Sequence, residues 1–522
     1  MKPLARLLLL GSLVNAFCFG AQPEIPASSD TNTVASARFF TNPVHRIQVE
    51  ISPGGLAELR RDSRKYVQAI VREGGVVHQA VGVHLKGSTG SFRGVDDKPA
   101  FTLNFARFTP EQRFHGLRKI HLNNSVEDPS FLNERLGTEF FRAAGVPAPR
   151  VAWALVELNG RRLGLYVLKE GFTEDFLALH FKRTDGELYE ASPGDPDPGA
   201  AASLPLQPVG DTNFTPASDP IQRWTRVEQT LDVDRFLSFM AVEVMIGHRD
   251  GYGLARNNYR IYHDPESGRM VFLPHGMDVL FGKADAPLFP HFAGLAAQAV
   301  METSEGRRRY RERFGFLLTN VFNVPALTAQ ADQWATQLRP VLTWREARAL
   351  NREVAVVKER LAARHANLVQ QFNTPELKPL FFGNGVATLG GWTAYDEPAG
   401  GKLDRAPAPD GKAALHIHAG PATMASWRTK ARLGPGQFRF EGAVCLSGVV
   451  APRSAKNQGA GLRVTGAAQP PHRLTGDQVW TPLRAEFEVV GPEREVELIC
   501  ELRATHGDAW FETDSLRVVR RR

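Results

Sequence analysis

The sequence predicts an α+β protein built from two folded parts, and three observations carry that prediction. Alternating apolar and polar runs dominate from Val44 to Glu170, as strands with one buried face require. Long apolar or amphipathic helical patterns dominate from Leu231 to Phe372. From Pro375 the composition changes to short β runs separated by Gly, Pro and Asp, the spacing of a β-sandwich. The expected organisation is a leader at 1–21, a linker at 22–43, an α+β domain at 44–374 and a sandwich at 375–522.

Length and composition agree with this. A chain of 522 residues, 43% hydrophobic and 23% charged, can bury more than one core. The formal charge of +7 comes mainly from scattered arginines, not from a dense basic stripe interleaved with aromatics. Such scatter reads as a solvated surface and argues against a nucleic-acid partner.

The N-terminus, MKPLARLLLLGSLVNAFCFGAQP, has a short basic region and an apolar run from Leu7 to Phe19. A run of that length is too short to span a bilayer and fits a secretory signal peptide, so the protein is expected to be secreted, periplasmic or at the cell surface. No later segment is apolar enough for a membrane helix. Residues 22–42 are polar and rich in Ser, Thr, Ala and Pro. Beyond the leader, Cys445 and Cys500 lie in apolar strand-like runs, as a disulfide or as two buried thiols, and two cysteines exclude a cysteine-based zinc site.

In order, IQVEI reads as a strand, LAELRRDSRKY as a helix, and YVQAIVREG and AVGVHLKG as strands. FTLNFARF alternates, and KIHLNN leads into a turn. Asp128-Pro129-Ser130 reads as a helix start, because Asp or Ser accepts the free N–H groups and Pro fits the first turn. AWALVEL and LGLYVLKE form a hairpin across Asn159-Gly160. Residues 191–220 are a Pro/Gly-rich excursion. LDVDRFLSFMAVEVMIGH is a helix apolar nearly all round, hence buried. YRIYHD and MVFLPHGMDVLFG follow as strands, and residues 303–372 hold two or three arginine-rich helices.

The chemistry concentrates in HRDGYGLARNNYRIY, His248 to Tyr262. In a protein-kinase catalytic loop an asparagine follows the HRD aspartate by five residues, but here that position is Ala255, and the asparagines are Asn257 and Asn258. Phosphoryl transfer needs a carboxylate to orient the acceptor hydroxyl, metal-binding Asp or Asn, and a lysine for the phosphates. Asp250, Asn257, Asn258 and Asp278 offer the first two groups, and Lys86 and Lys98 flank the Gly/Ser-rich KGSTGSFRGVDDK. Each has an ordinary alternative: an Asx turn for Asp250, a turn residue for Asp278, a flexible hairpin for the glycine-rich loop. That loop matches neither the Walker pattern nor G-x-G-x-x-G.

HLKGSTG…KPAFTLNF, FHGLRKIHLNNSVEDPSFLNERLGTEFFRAAGVPAPR, LNGRRLGLYVLKE and DGYGLARNNYRIYHD…FLPHGMDVLFG together resemble the spore-coat protein H (CotH) kinase family, over Val44 to Gly282. The resemblance implies an atypical protein-kinase-like domain that transfers phosphate from ATP, with Mg²⁺ or Mn²⁺, to Ser/Thr of an exported or coat protein. It implies Asp250 as the catalytic aspartate and Asp278 as a metal ligand, with Asn258, or Asn257 beside it, as the second. It implies Lys98 on the phosphates and Glu170 as the acidic partner of Lys98, with Lys86 as a further cofactor contact. Two departures stand out. His248 replaces the family's asparagine, and Gly276 replaces the first carboxylate of an Asp-x-Asp pair. The alternative expectation is therefore a catalytically impaired scaffold for surface or coat assembly.

The C-terminal part, with Trp480 and the ending GDAWFETDSLRVV, resembles galactose-binding-like or carbohydrate-binding jelly rolls. A glycan is the partner this implies. Trp392, Trp427 and Trp510 could stack on a sugar ring, but tryptophans in a sandwich are more often core residues. No pattern singles out the two carboxylates a glycosidase needs.

Overall fold

A computed structural model describes residues 30–42, 44–190, 220–375, 377–396, 400–451, 458–467, 473–489 and 493–521. The expected leader at 1–21 and the excursion at 191–219 lie outside them. The chain divides into two units, one through Thr374 and one from Pro375.

In the first unit, the stretch expected as a linker is partly helical. Helix α1, Thr31–Thr41, is capped by Asp30 and buries Phe39 and Phe40. Its polar composition concealed these two aromatics, which stack with His45 and lie under Arg150 respectively.

Strands β1 (Val44–Ile51), β2 (Val67–Glu73), β3 (Val76–Lys86), β4 (Ala100–Asn104), β5 (Lys119–Asn123), β6 (Val151–Leu158) and β7 (Arg161–Glu170) close a barrel in the order β1-β2-β3-β4-β5-β7-β6. The short helix α2, Pro53–Arg61, follows β1. Parallel pairing of β1 with β6 makes the closure. Alternation sends Val83, Leu85, Phe101, Leu103, Ile120, Leu122, Tyr166 and Leu168 into the barrel core. The residues between them, including Lys86, His121 and Lys169, therefore project outward.

Helix α3, Asn133–Ala143, packs against that outer face through Leu136, Phe140 and Phe141. It begins later than the Asp128 start expected from sequence. The Asp128 carboxylate first folds the turn, accepting from Ser130 N–H at 3.1 Å and from Asn133 N–H at 2.9 Å. After α4 (Glu174–His180) and β8 (Leu188–Glu190), helix α5 spans Pro220–Thr230. Helix α6, Val233–Ile246, has every residue buried except Asp234 and Arg235, in line with its apolar pattern. A four-residue helix α7, Tyr252–Ala255, precedes β9 (Tyr259–Asp264) and β10 (Arg269–Pro274), which form a sheet with β8 in the order β10-β9-β8. Residues after Pro274 form a loop, not the continued strand that MVFLPHGMDVLFG suggested. Helices α8 (Leu295–Met301), α9 (Ser304–Asn320), α10 (Val324–Leu338) and α11 (Trp344–Asn373) complete this core.

The second unit has two antiparallel sheets. β11 (Val386–Thr388), β13 (Gly401–Asp404), β14 (Ala414–Ala419), β16 (Gly436–Val450), β18 (Gly476–Val489), β20 (His506–Glu512) and β21 (Arg517–Arg520) form the larger. β12 (Thr393–Asp396), β15 (Thr423–Leu433), β17 (Gly459–Val464) and β19 (Arg494–Ala504) form the smaller. Phe440, Val444 and Phe511 of one sheet share a core with Leu462, Leu498 and Leu502 of the other. Cys445 and Cys500 are free thiols, in different sheets. Among the described residues no helix is long and apolar enough to cross a membrane.

Candidate functional site

The barrel's outward alternation and the start of α3 place a set of ionisable groups together. Lys169, on β7 and 0% exposed, donates to Glu134 Oε1 at 2.8 Å and lies 2.9 Å from His275 Nδ1. Glu134 stands in the first turn of α3, where a carboxylate also meets the positive end of the helix. Its Oε2 accepts the Met277 N–H at 2.9 Å. Burial alone would raise its pKa, but Lys169 and Lys86 outweigh burial and hold the carboxyl below its ordinary value.

Lys86, at the end of β3, donates to Asn123 Oδ1 at 2.5 Å. Burial first, then the Lys169 charge, push its pKa down to about 7. His121 is paired across strands with Lys169, and His275 sits beside Lys169; burial and the neighbouring lysines keep both well below the ordinary histidine value. Arg260 contributes a further positive charge felt by Lys86, His121 and His275.

Asp278 faces this group. Burial, then Glu134, raise its pKa, with Glu127 adding to the rise and Lys86 opposing it. Asn133 anchors its backbone, donating from Nδ2 to the Asp278 carbonyl at 2.9 Å. That leaves Asn133 Oδ1 buried and without a hydrogen-bond partner. Asn258 (φ 52°) donates to the Gly276 carbonyl at 3.3 Å. Gly276 has φ +59°, and a Cβ there would lie 2.6 Å from Asn258 Oδ1. Asn258 thus occupies the space a carboxylate side chain at 276 would need. Asn257 is half-buried one residue earlier.

Asp250 is half-exposed, with Arg249 at 4.0 Å. The charges acting on the buried His248 include those of Asp250, Glu134 and Lys169.

Two sequence expectations are corrected. Glu170 does not pair with Lys98. Its carboxylate is bonded to Arg150, at 3.0 Å to Nε and 2.5 Å to Nη2. Lys98 instead lies over the rings of Phe131 and Tyr166, at 5.2 and 5.1 Å, and the acidic charges acting on it are those of Glu346 and Asp97. The buried Lys–Glu pair is Lys169 with Glu134. The signal was present in LGLYVLKE: adjacent strand residues face opposite ways, so Lys169 and Glu170 cannot serve the same face.

Among the described residues no three His, Cys, Asp or Glu side chains form a metal cage. A divalent cation carried on a polyanion needs less, one or two carboxylates with water and phosphate oxygens completing the shell. Asp278, with a carboxyl raised by burial, and the unpartnered Asn133 oxygen beside it fit that type of ion.

In the second unit, Trp392 and Trp427 are buried in the core, and Trp510 keeps part of its surface while stacking on His416 at 4.9 Å.

The model of the CotH kinase protein family matches residues 83–368, more than half of the chain. The inner spore coat protein H of Bacillus subtilis is 25% identical over 262 residues, 45% of this chain and 71% of its own length. Invasin CotH2 of Rhizopus delemar is 24% identical over 264 residues, 43% of this chain and 44% of its own length. This chain thus spans less than half of that invasin. A solved structure of TmCBM61 with β-1,4-galactotriose aligns with 26% of this chain and 92% of its own, at 14% identity and a TM-score of 0.19, too low to carry an argument. On the family match, this chain belongs to the CotH kinase proteins.

Proposed function

We propose that the first unit is an atypical, exported protein kinase that moves phosphate from ATP to Ser/Thr of a secreted, surface or coat protein. The observation that carries the reading is the buried Lys169–Glu134 pair, tied directly to the loop of Asp278. Holding Lys86 beside the buried Lys169 is costly unless an anion repays it. A nucleotide triphosphate is such an anion. Lys86, with a pKa near 7, gains a proton and a partner when phosphate arrives.

The roles follow from the chemistry. Lys169 takes the phosphate-contacting place expected of Lys98, and Glu134 the orienting place expected of Glu170. Asp278 holds Mg²⁺ or Mn²⁺, with Asn258 or Asn257 as the neighbouring oxygen. When bound there, such a metal would supply charge neutralisation for the transferred group, and Asp250 accepts the proton of the acceptor hydroxyl. We read the second unit as a carbohydrate-binding-like jelly roll that holds the kinase near a glycan. Of the three tryptophans considered for sugar, only Trp510 retains surface.

The test is incubation of the purified protein with labelled ATP, Mg²⁺ or Mn²⁺ and a Ser-rich substrate. Transfer abolished by Asp250→Ala with the fold intact supports the reading. No transfer by the wild type, with equal nucleotide binding by wild type and Asp278→Ala, sinks it. The second reading is a non-catalytic scaffold, favoured by Gly276, where the space for a second carboxylate is taken by Asn258. It predicts nucleotide binding without transfer.

A further inference from the structure

Two buried groups beneath the Asp250 loop have no part in the chemistry above. Glu243, in the last turn of α6, is 0% exposed. Its Oε1 accepts the Tyr252 N–H and its Oε2 the Gly253 N–H, each at 2.7 Å. Both carboxylate oxygens therefore hold the turn that follows Asp250.

His248 is 1% exposed and its Nε2 lies 3.0 Å from the Gly276 carbonyl. A carbonyl only accepts, so Nε2 carries the proton and donates it. Nδ1 is then a bare acceptor, which has no hydrogen-bond partner and lies 3.9 Å from Glu243 Oε1. The loop backbone presses onto both groups: a Cβ on Gly251 would lie 2.2 Å from Glu243 Oε1 and 2.7 Å from His248 Nδ1. Any side chain at 251 would push the turn off its anchor.

We propose that Glu243 and His248 form one buried positioning unit that sets Asp250 relative to Asp278. Glu243 clamps the residues just after Asp250. His248, two residues before Asp250, hooks the carbonyl two residues before Asp278. The two loops leave the same open end of the β9–β10 hairpin, where Tyr259 pairs with Pro274, and His248 is a buried side-chain bridge from one to the other. The departure at His248 thus has a task, and Gly276 is its counterpart, since its carbonyl accepts from His248 and from Asn258 alike. The catalytic meaning of this unit rests on the kinase reading; its mechanical meaning does not.

The experiment uses the full-length protein and three variants, His248→Ala, His248→Gln and Glu243→Gln. Amide hydrogen exchange is read in segments 248–255 and 275–280, beside kcat and KM for ATP. His248→Ala should raise exchange about tenfold in both segments together, because the buried bond it removes ties one loop to the other and Asn258 holds Gly276 only from the strand side. It should lower kcat about tenfold with KM within about twofold, the signature of misplaced groups rather than lost binding. The side-chain amide of Gln reaches where Nε2 stood, so His248→Gln should restore both readouts. Glu243→Gln, which keeps one acceptor and loses the other, should speed exchange in 248–255 first. If His248→Ala does not fold, His248→Asn, too short to reach Gly276, replaces it. Exchange raised in one segment alone, unchanged exchange, or equal behaviour of Ala and Gln variants overturns the proposal. A wild type that transfers no phosphate sinks the kinase reading, and the exchange comparison still decides the positioning unit.

Discussion

Lys169 Nζ lies 2.8 Å from Glu134 Oε1, with the two side chains 0% and 3% exposed. A pair so buried is weak evidence for net stability, but removing one partner leaves a charge without compensation. Lys169→Met or Glu134→Gln alone should cost ~3–5 kcal/mol in urea unfolding. The double variant should recover much of that loss. Additive losses in the cycle would show that the two groups do not interact.

Nucleotide binding should separate the lysines. Lys86→Ala should weaken ATP binding about tenfold or more, because its ammonium lies in the group around Lys169 and Asp278. Lys98→Ala should change it by less than about twofold, since Lys98 rests on Phe131 and Tyr166. Calorimetric titration with ATP and Mg²⁺ checks both, and the reverse ranking would return the phosphate role to Lys98.

Two buried groups give stability opposite slopes with pH. Glu243 is raised by burial from 4.5 to about 8, so between these values the folded state holds a proton that the unfolded chain has released. Its contribution falls as pH rises through that window, by up to about 1.4 kcal/mol per pH unit. Lys86 is lowered by burial from 10.5 to about 7, so the unfolded chain binds the extra proton and the contribution rises between those values. Urea midpoints from pH 5 to 10 should show Glu243→Gln flattening the acid-side slope and Lys86→Met the alkaline-side slope. Unaltered slopes in both variants would contradict these assignments.

Gly276→Ala should destabilise by ~1–3 kcal/mol, through its left-handed backbone and the contact with Asn258. Adding Asn258→Gly should recover the steric share and leave the backbone share. Thermal unfolding of the single and double variants measures the split. A Gly276→Ala protein as stable as wild type would mean that Asn258 moves aside at no cost.

Much of this architecture is legible in local pattern. Alternation marks β1, β2 and β5 because one face of each of these strands is buried, and the apolar sequence of α6 marks a helix surrounded by core. Phe39 and Phe40 escaped notice because two aromatics in a polar stretch make no periodic signal.

By itself, the sequence determined the α+β character, the strand-rich C-terminal part, the family, and the loop that carries Asp250. Only the tertiary structure decided which lysine meets which glutamate. Glu134 and Lys169 are 35 residues apart, on a helix and a strand, and they meet because α3 docks on the barrel's outer face. The residue next to Lys169 faces the other way and binds Arg150. The family resemblance suggested Glu170 as the partner of Lys98; in the fold Glu170 faces away from Lys169 and is taken by Arg150.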